Sequence, residues 1–402
     1  MIAALHVALF AGPAFAATFA ATSDTLFQGR MDNDGVPYVA GWETLWGAGG
    51  TPDLQGEAYG NVNFASGFDQ PAAWELFVLA ADGQKGKMDW TLGRQRLNLP
   101  SVGWMLDGGR IAWSPSKTLR LEAWAGQAEH VALGSYLDGV PVVRLNATYA
   151  AGPVTAAVGL LGEAGPNPAL HPDIQVTAAD PTSKLSPYAN LVIDSGFDAA
   201  GAAVLEKGRL SLSARPLSGT RVTVWGEHRQ ALNTTSALAP LILATIAPLG
   251  YDELGSGFAW SAANTSKLWI EGSVQSYAPD AADELYREPG FAASTTWSPQ
   301  CGSDSWCLAP SWRAASGPGG AYHVFVADIT VPTPSAVGTH VVATVAPFQL
   351  AHEEWDTLLA LGATATVKPT RRLTGSVGGE IAHDALHPIN PRLWLSLRVA
   401  VP

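Results

Sequence analysis

The sequence predicts an all-β protein: a single transmembrane antiparallel up-and-down β-barrel of about 16 to 18 strands, with short periplasmic turns and long external loops. Three observations predict it. A two-residue hydrophobic period returns in one hairpin after another, charged residues make up only 14% of the chain, and tryptophan occurs fifteen times, often just before a turn. No uninterrupted apolar run is long enough for a transmembrane helix, so a membrane-spanning chain of this kind must cross with strands.

The clearest stretch runs from Leu359 to Val401, where two-residue alternation, a turn and renewed alternation follow one another. The apolar positions are Leu359, Leu361, Ala363, Ala365 and Val367, then Leu373, Val377 and Ile381, then Leu393, Leu395, Leu397, Val399 and Val401. Arg372, Glu380, Arg392 and Arg398 fall on the opposite face. Because successive side chains of a strand point to opposite faces, each strand has one apolar and one polar face.

Comparable hairpins occur along the rest of the chain. They cover residues 55–92, 111–125, 143–160, 210–229, 258–277 and 359–381. A soluble β-sandwich also alternates, but it would display many charges outward. The low charge content favours a barrel whose apolar face meets lipid and whose polar face encloses water.

The first residues predict an export signal and one domain. An apolar run from Ile2 to Phe10 precedes Ala14 and Ala16, which form a small-x-small cleavage site, so residues 1–17 are interpreted as a signal peptide. Residues 18–402 are then the barrel, without a visible linker. Localisation in the bacterial outer membrane follows, with outer-membrane lipid and the barrel-insertion machinery as partners; the oligomeric state is left open.

Connections of unequal length are typical of this architecture. Residues 114–118, 150–153, 216–220 and 368–371 are predicted as short turns, whereas 162–186, 230–252 and 301–319 are predicted as long loops. The loop from Gln230 to Asp252 contains an apolar run with two prolines. It is interpreted either as a constriction folded into the lumen or as a cover of the rim.

Tryptophan and cysteine positions give two further expectations. Trp113, Trp260 and Trp297 each stand at a strand end before a turn, which predicts an aromatic girdle at a membrane interface. The alternative is that these rings fill the core of a sandwich. Cys301 and Cys307 predict a small disulfide-closed loop, since two thiolates do not complete a zinc site.

The segment from Leu92 to Arg96, Leu-Gly-Arg-Gln-Arg, and the later Leu106-Asp107-Gly108 resemble the Gly-Arg-Gln signature of alginate-export-type and related porin barrels. The resemblance to the outer-membrane porin superfamily covers nearly the whole mature chain. It implies passive diffusion or export of small, often anionic solutes. Barrels of that superfamily usually end on an aromatic residue, whereas this chain ends in Val401-Pro402.

Charged residues on the polar faces form the predicted lining of the bore. They are Glu57, Glu75, Arg110, Arg120, Glu122, Arg144, Arg209, Arg221, Glu227, Lys267, Glu271, Arg372, Glu380, Arg392 and Arg398. Facing charges of both signs select solutes by charge, and the excess of arginine in this set predicts a weak preference for anions. These charges are alternatively salt bridges that only stiffen the wall.

The sequence therefore predicts a passive outer-membrane channel for small hydrophilic solutes. The formal net charge of −12 argues against a nucleic-acid partner. No catalytic, cofactor or metal motif is recognised, so no enzyme activity, cofactor or metal is predicted. The alternatives are a plugged barrel whose external loops bind a ligand or partner, an outer-membrane lipid hydrolase, and a secreted soluble β-sandwich or propeller.

Overall fold

The structure is a computed structural model. It describes residues 18–31, 37–51, 54–66, 73–98, 103–129, 131–132, 135–136, 139–164, 168–197, 203–230, 250–262, 266–277, 289–300, 305–317, 320–333, 337–350, 354–383 and 389–401. The predicted signal peptide lies outside these residues and stays a prediction. Among the described residues no helix is long and apolar enough to cross a membrane.

In the part of the chain that the structure describes, twenty-two antiparallel strands form one closed sheet. Each strand pairs with its neighbours along the chain, and the first strand also pairs with the last, Ala21 opposite Val401 and Arg30 opposite Arg392. The strands are β1 (Thr18–Met31), β2 (Pro37–Thr51), β3 (Leu54–Ser66), β4 (Ala73–Lys85), β5 (Met88–Asn98), β6 (Gly103–Trp113), β7 (Leu119–Glu129), β10 (Val140–Ala151), β11 (Val154–Glu163), β12 (Ala169–Ala179), β13 (Tyr188–Phe197), β14 (Ala203–Ala214), β15 (Thr220–Arg229), β16 (Tyr251–Ala262), β17 (Ser266–Tyr277), β18 (Gly290–Pro299), β19 (Cys307–Gly317), β20 (Gly320–Val331), β21 (Val337–Leu350), β22 (Asp356–Thr370), β23 (Leu373–His383) and β24 (Asn390–Val401). Two short strands between β7 and β10, β8 (Val131–Ala132) and β9 (Ser135–Tyr136), pair only with each other.

The polar face of the sheet is its concave, inner face. Side chains converge on the concave side of a curved sheet, and there Arg144 of β10 reaches Asp173 of β12, two strands away. The opposite face carries large exposed apolar side chains such as Leu361 and Leu393, which are 59% and 67% exposed. The barrel therefore encloses a polar lumen and presents an apolar surface, as a membrane-spanning barrel must.

The predicted number of strands was wrong. The predicted loop 162–186 contains β12, the predicted loop 301–319 contains β19, and β1 and β2 precede the first recognised strand. Each of the two strands that lie within predicted loops, β12 and β19, contains a proline, Pro172 or Pro310. Proline has no backbone N–H to donate to a neighbouring strand, so in a sequence it indicates a loop. The sheet tolerates Pro172, and its carbonyl oxygen accepts a hydrogen bond from Ser195 Oγ at 3.0 Å.

The two ends of the barrel differ in their connections. At one end, here called the short-turn end, the links include 86–87, 114–118, 152–153, 215–219 and 371–372. Gly86 and Gly152 adopt the left-handed conformation there, with φ of 63° and 57°. The opposite end, the long-loop end, carries the links 130–139, 230–250 and 278–289.

The turn between β12 and β13, at the short-turn end, is closed by Asp180. Its Oδ1 atom accepts hydrogen bonds from the backbone N–H and hydroxyl of Thr182 and from the backbone N–H of Ser183. These bonds, with the Thr182 hydroxyl first, lower the pKa of Asp180. The carboxylate thus fixes a turn longer than its neighbours.

The face assignment gives a direct stability prediction. Leu361 points outward and its neighbour Ala360 points inward on β22. Leu361→Arg places a charge in lipid and should lower the free energy of unfolding by about 2–4 kcal/mol, whereas Ala360→Arg keeps its charge in the aqueous lumen and should change it by less than about 1 kcal/mol. Denaturant titration of the barrel refolded in lipid vesicles measures both. Equal losses in the two variants would contradict the assignment.

Candidate functional site on the inner wall

The best-buried charge pair of the inner wall joins Arg144 and Asp173. Arg144 Nη1 and Nη2 donate to the two carboxylate oxygens of Asp173 at 2.7 and 3.0 Å. The pair passes over Gly159 of the intervening strand β11, where an added Cβ would stand 2.3 Å from Asp173 Oδ2 and 2.5 Å from Arg144 Nη2. The missing side chain of Gly159 therefore creates the space in which charges two strands apart meet.

A second charged network crosses β5, β6 and β7. Arg110 donates from Nη2 to Glu122 Oε1 at 2.6 Å, and Arg120 donates to the same oxygen at 3.3 Å and to Asp89 at 2.9 Å. Asn146 of β10 donates to the other Glu122 oxygen at 3.2 Å. Glu122 is thus held by two guanidinium groups and an amide, which neutralises it locally.

The structure pairs many of the other predicted lining residues. Arg209 bonds Glu227 at 3.1 Å, Arg392 lies 3.6 Å from Glu380, and Arg398 lies 3.5 Å from Asp24. Glu57 accepts the indole N–H of Trp46 at 2.7 Å, and Glu271 accepts that of Trp269 at 3.0 Å. Register places Arg221 and Lys267 on the inner face near the short-turn end.

Two members of the predicted set stand apart. Arg372 lies in the turn between β22 and β23 rather than in a strand, so strand alternation does not assign it to the inner face. Glu75 lies in β4 but outside the residues whose side chains the structure describes.

Several carboxylates of the inner wall were missed. They are Asp24, Asp82, Asp89, Glu163, Asp173, Asp194, Glu206, Glu253 and Asp328. Most stand in strands taken for loops or near strand ends, where alternation is hard to follow. With them included, carboxylates outnumber basic residues among the described strand positions that register places on the inner face.

A group of aromatic and polar side chains on β15, β16 and β17 was also missed. Trp225 donates its indole N–H to Glu253 Oε1 at 2.9 Å, and Gln275 Nε2 donates to Glu253 Oε2 at 3.0 Å. Tyr277 donates to Gln275 Oε1 at 2.7 Å, and Tyr251 donates to Glu227 at 3.2 Å. The signal was present in the sequence, because these residues share one parity on three consecutive strands. We call Trp225, Tyr251, Glu253, Gln275 and Tyr277 the aromatic–carboxylate cluster.

The segment that resembles the porin signature is brought together across β5 and β6. Arg94 Nε donates to Asp107 Oδ1 at 2.7 Å, and its Nη2 also contacts that carboxylate. Gln95 donates to the carbonyl oxygen of Gly108 at 3.4 Å. Register places Arg94 and Asp107 on the outer face, so this ion pair does not line the bore.

Trp113, Trp260 and Trp297 all lie near the short-turn end and on the outer face. They are 48%, 39% and 42% exposed, and Trp260 and Trp297 are both register partners of Leu268. A second aromatic group lies on the outer face toward the long-loop end. There the ring of His323 stacks on Trp312 and Trp355 at centroid distances of 6.2 and 6.0 Å.

Cys307 begins β19 and is buried, whereas Cys301 lies outside the described residues. The disulfide stays a prediction.

The Arg144–Asp173 pair generates a prediction. Its side chains are 8% and 4% exposed, so Arg144→Gln leaves a nearly buried carboxylate without its cation and should cost about 3–5 kcal/mol of unfolding free energy. Arg398, whose side chain is 62% exposed beside Asp24, is the matched control, and Arg398→Gln should cost less than about 1 kcal/mol. Denaturant titration in vesicles compares the two. Equal losses would show that the lumen solvates both pairs alike.

The fold is that of outer-membrane channels of solved structure. The P pilus usher (PapC) translocation pore aligns with a TM-score of 0.56 at 8% identity, covering 95% of this chain and 99% of that one. Pseudomonas aeruginosa OccK11 (OpdR) aligns with a TM-score of 0.51 at 10% identity, and Pseudomonas aeruginosa OccK3 (OpdO) with 0.50 at 9%; each alignment covers 96% of both chains. No protein-family model and no curated protein sequence matches the chain.

At such low identities the likeness is one of fold. Together with the apolar outer face, the fold confirms the predicted localisation in the bacterial outer membrane.

Proposed function

We propose that this protein is a passive outer-membrane channel for small hydrophilic solutes. The observation that carries the proposal is the division of the closed sheet into an apolar outer face and an inner face lined by hydrogen-bonded charges and indoles. Such a wall is hydrated, and it leaves a water-filled path when no folded segment obstructs it.

The width of the barrel sets a condition on this function. Twenty-two strands spaced about 4.8 Å apart and tilted by about 40° enclose a backbone cylinder about 44 Å across. An empty bore of that width would not discriminate among small solutes. The loop from Gln230 to Asp252, predicted as either a constriction or a rim cover, is the candidate for narrowing the bore, and its residues 231–249 lie outside the described residues.

Conductance tests the function and its main alternative together. The full chain in planar bilayers should give steady single-channel currents in salt solution. Replacement of residues 231–249 by a short Gly-Ser linker should raise the conductance several-fold if the segment narrows an open pore. As the control, the same linker replaces 278–288 of the β17–β18 link. A wild-type barrel that does not conduct, and conducts only after the 231–249 replacement, would support a plugged barrel that binds a ligand or partner instead.

Charge selectivity is a separate question. The anion preference predicted from the sequence counted an arginine excess, but the missed carboxylates reverse that excess on the inner wall. We therefore expect a weak preference for cations. Reversal potentials in a salt gradient measure it, and a clear anion preference would show that the narrowest section is lined by Arg221, Lys267 or other basic residues.

A lipid hydrolase receives little support from the described residues. His228 Nδ1 lies 2.7 Å from Asp252 Oδ1 on the outer face, and Ser276 is the register partner of Asp252 on the other side. The carboxylate thus separates the serine from the histidine. A serine nucleophile needs its hydroxyl within hydrogen-bond reach of the histidine, so this group is not a catalytic triad.

Other features complete the proposal. The outer-face rings at the two ends would sit at the two membrane interfaces, with Trp113, Trp260 and Trp297 forming the girdle at the short-turn end. The short-turn end then faces the periplasm and the long-loop end the exterior. The same proposal includes cleavage near residue 17, insertion by the barrel-insertion machinery, the Cys301–Cys307 disulfide and a relation to alginate-export-type barrels.

A further inference from the structure

We propose that the aromatic–carboxylate cluster binds a neutral sugar on its way through the lumen. The inference deepens the proposed channel function by naming a solute class, and it rests on that function. The cluster lies toward the long-loop end of the inner wall, where a solute from that side meets it early.

Two glycines of β16 determine how the Trp225 indole is oriented. The register partner of Trp225 is Gly255, and a Cβ atom at Gly255 would stand 2.3 Å from Cε2 and Cζ2 of the indole. The indole therefore lies across the bare backbone of β16, also near Gly257, whose added Cβ would lie 3.6 Å from Cζ3. With one ring face on the wall, the other face is turned to the lumen and offers an apolar platform.

Hydrogen-bonding side chains lie beside that platform. Glu253 accepts hydrogen bonds from Trp225 at Oε1 and from Gln275 at Oε2, and Ser273 is a third side-chain partner. Three donors leave about one of the four lone-pair sites of the carboxylate for a ligand. Tyr251 and Tyr277 stand edge to face with ring centroids 6.4 Å apart. Hydroxyl and amide groups can donate hydrogen bonds to the hydroxyls of a ligand, and the carboxylate can accept them.

Charged groups of both signs surround the cluster. Arg209 bonds Glu227 at 3.1 Å, and Arg229 hydrogen-bonds to Tyr251, so two guanidinium groups stand near the two carboxylates Glu227 and Glu253. The surroundings are balanced, and neither a cation nor an anion gains much net attraction. A neutral ligand with an apolar face and many hydroxyls fits this chemistry, which is the description of a sugar ring.

Maltose binding to the detergent-solubilised full chain, measured by saturation-transfer NMR, tests the site without requiring an open pore. Single-channel block by maltose tests it in the conducting barrel. We expect binding and block by the wild type, and about ten-fold weaker binding by Trp225→Ala, because the stacking platform is lost. Trp225→Phe keeps an aromatic face and should retain binding within about three-fold.

The matched control is Trp269→Ala, which removes another inner-face indole bonded to a glutamate, Glu271, outside the cluster. It should leave maltose binding unchanged. Heat-modifiable gel mobility checks that each variant is folded. If Trp225→Ala does not fold, maltose binding by Trp225→Phe, compared with the wild type, decides whether the aromatic face binds the sugar.

Three results would overturn the inference: no maltose binding by the wild type, equal losses in Trp225→Ala and Trp269→Ala, or binding of choline in place of maltose, which would identify an organic-cation site. A barrel that fails to conduct salt contradicts the proposed channel, whereas the NMR result alone still decides whether the sugar site exists.

Discussion

The pairing of β1 with β24 is the constraint on which the rest of the structure depends. A strand edge in hydrocarbon leaves backbone N–H and C=O groups without partners, and each such group costs several kcal/mol. Ten register pairs, from Ala21 opposite Val401 to Arg30 opposite Arg392, remove that edge. Once the ring is closed, strand alternation alone decides which side chain meets lipid and which meets water, so the apolar and polar faces follow without further information.

The inner wall satisfies a second constraint, because its charges must be compensated wherever water is scarce. Glycine has a specific role there. Gly159 lets Arg144 and Asp173 meet across the intervening strand, and Gly255 lets Trp225 lie on the wall. In both cases a residue without a side chain determines what its neighbours on adjacent strands can reach. The side-chain arrangement of the inner wall therefore depends on contacts between neighbouring strands as much as on the sequence of each strand.

Much of the fold could be predicted from local pattern. The alternation from Leu359 to Val401 is reproduced by β22, β23 and β24, and four predicted short turns join consecutive strands. The strand number could not be obtained in this way, since Pro172 and Pro310 mark β12 and β19 as loops when only local signals are considered. Pairing with strands on both sides overrides that local preference.

The site was less accessible to prediction. Parity identified Arg144 as a lining residue, but its partner Asp173 lies in a strand that had not been recognised. The cluster around Trp225 needed the register of three strands, because nothing in the spacing of Trp225, Glu253 and Gln275 along the chain shows that they are neighbours. The resemblance to the porin signature did not identify residues that line the bore, because Arg94 and Asp107 pair on the outer face.

The position of the Trp225 indole flat against Gly255 affects how much of the lumen cross-section stays open to a solute. An aromatic ring that projected into a channel would hold a solute at the cost of obstructing those behind it. Lying against the wall, the indole adds contact area while taking little from the cross-section. If the proposed channel binds its solute there, retention and flux would depend on different atoms. A side chain at position 255 would tilt the ring away from the wall and would change both without any change to the ring itself.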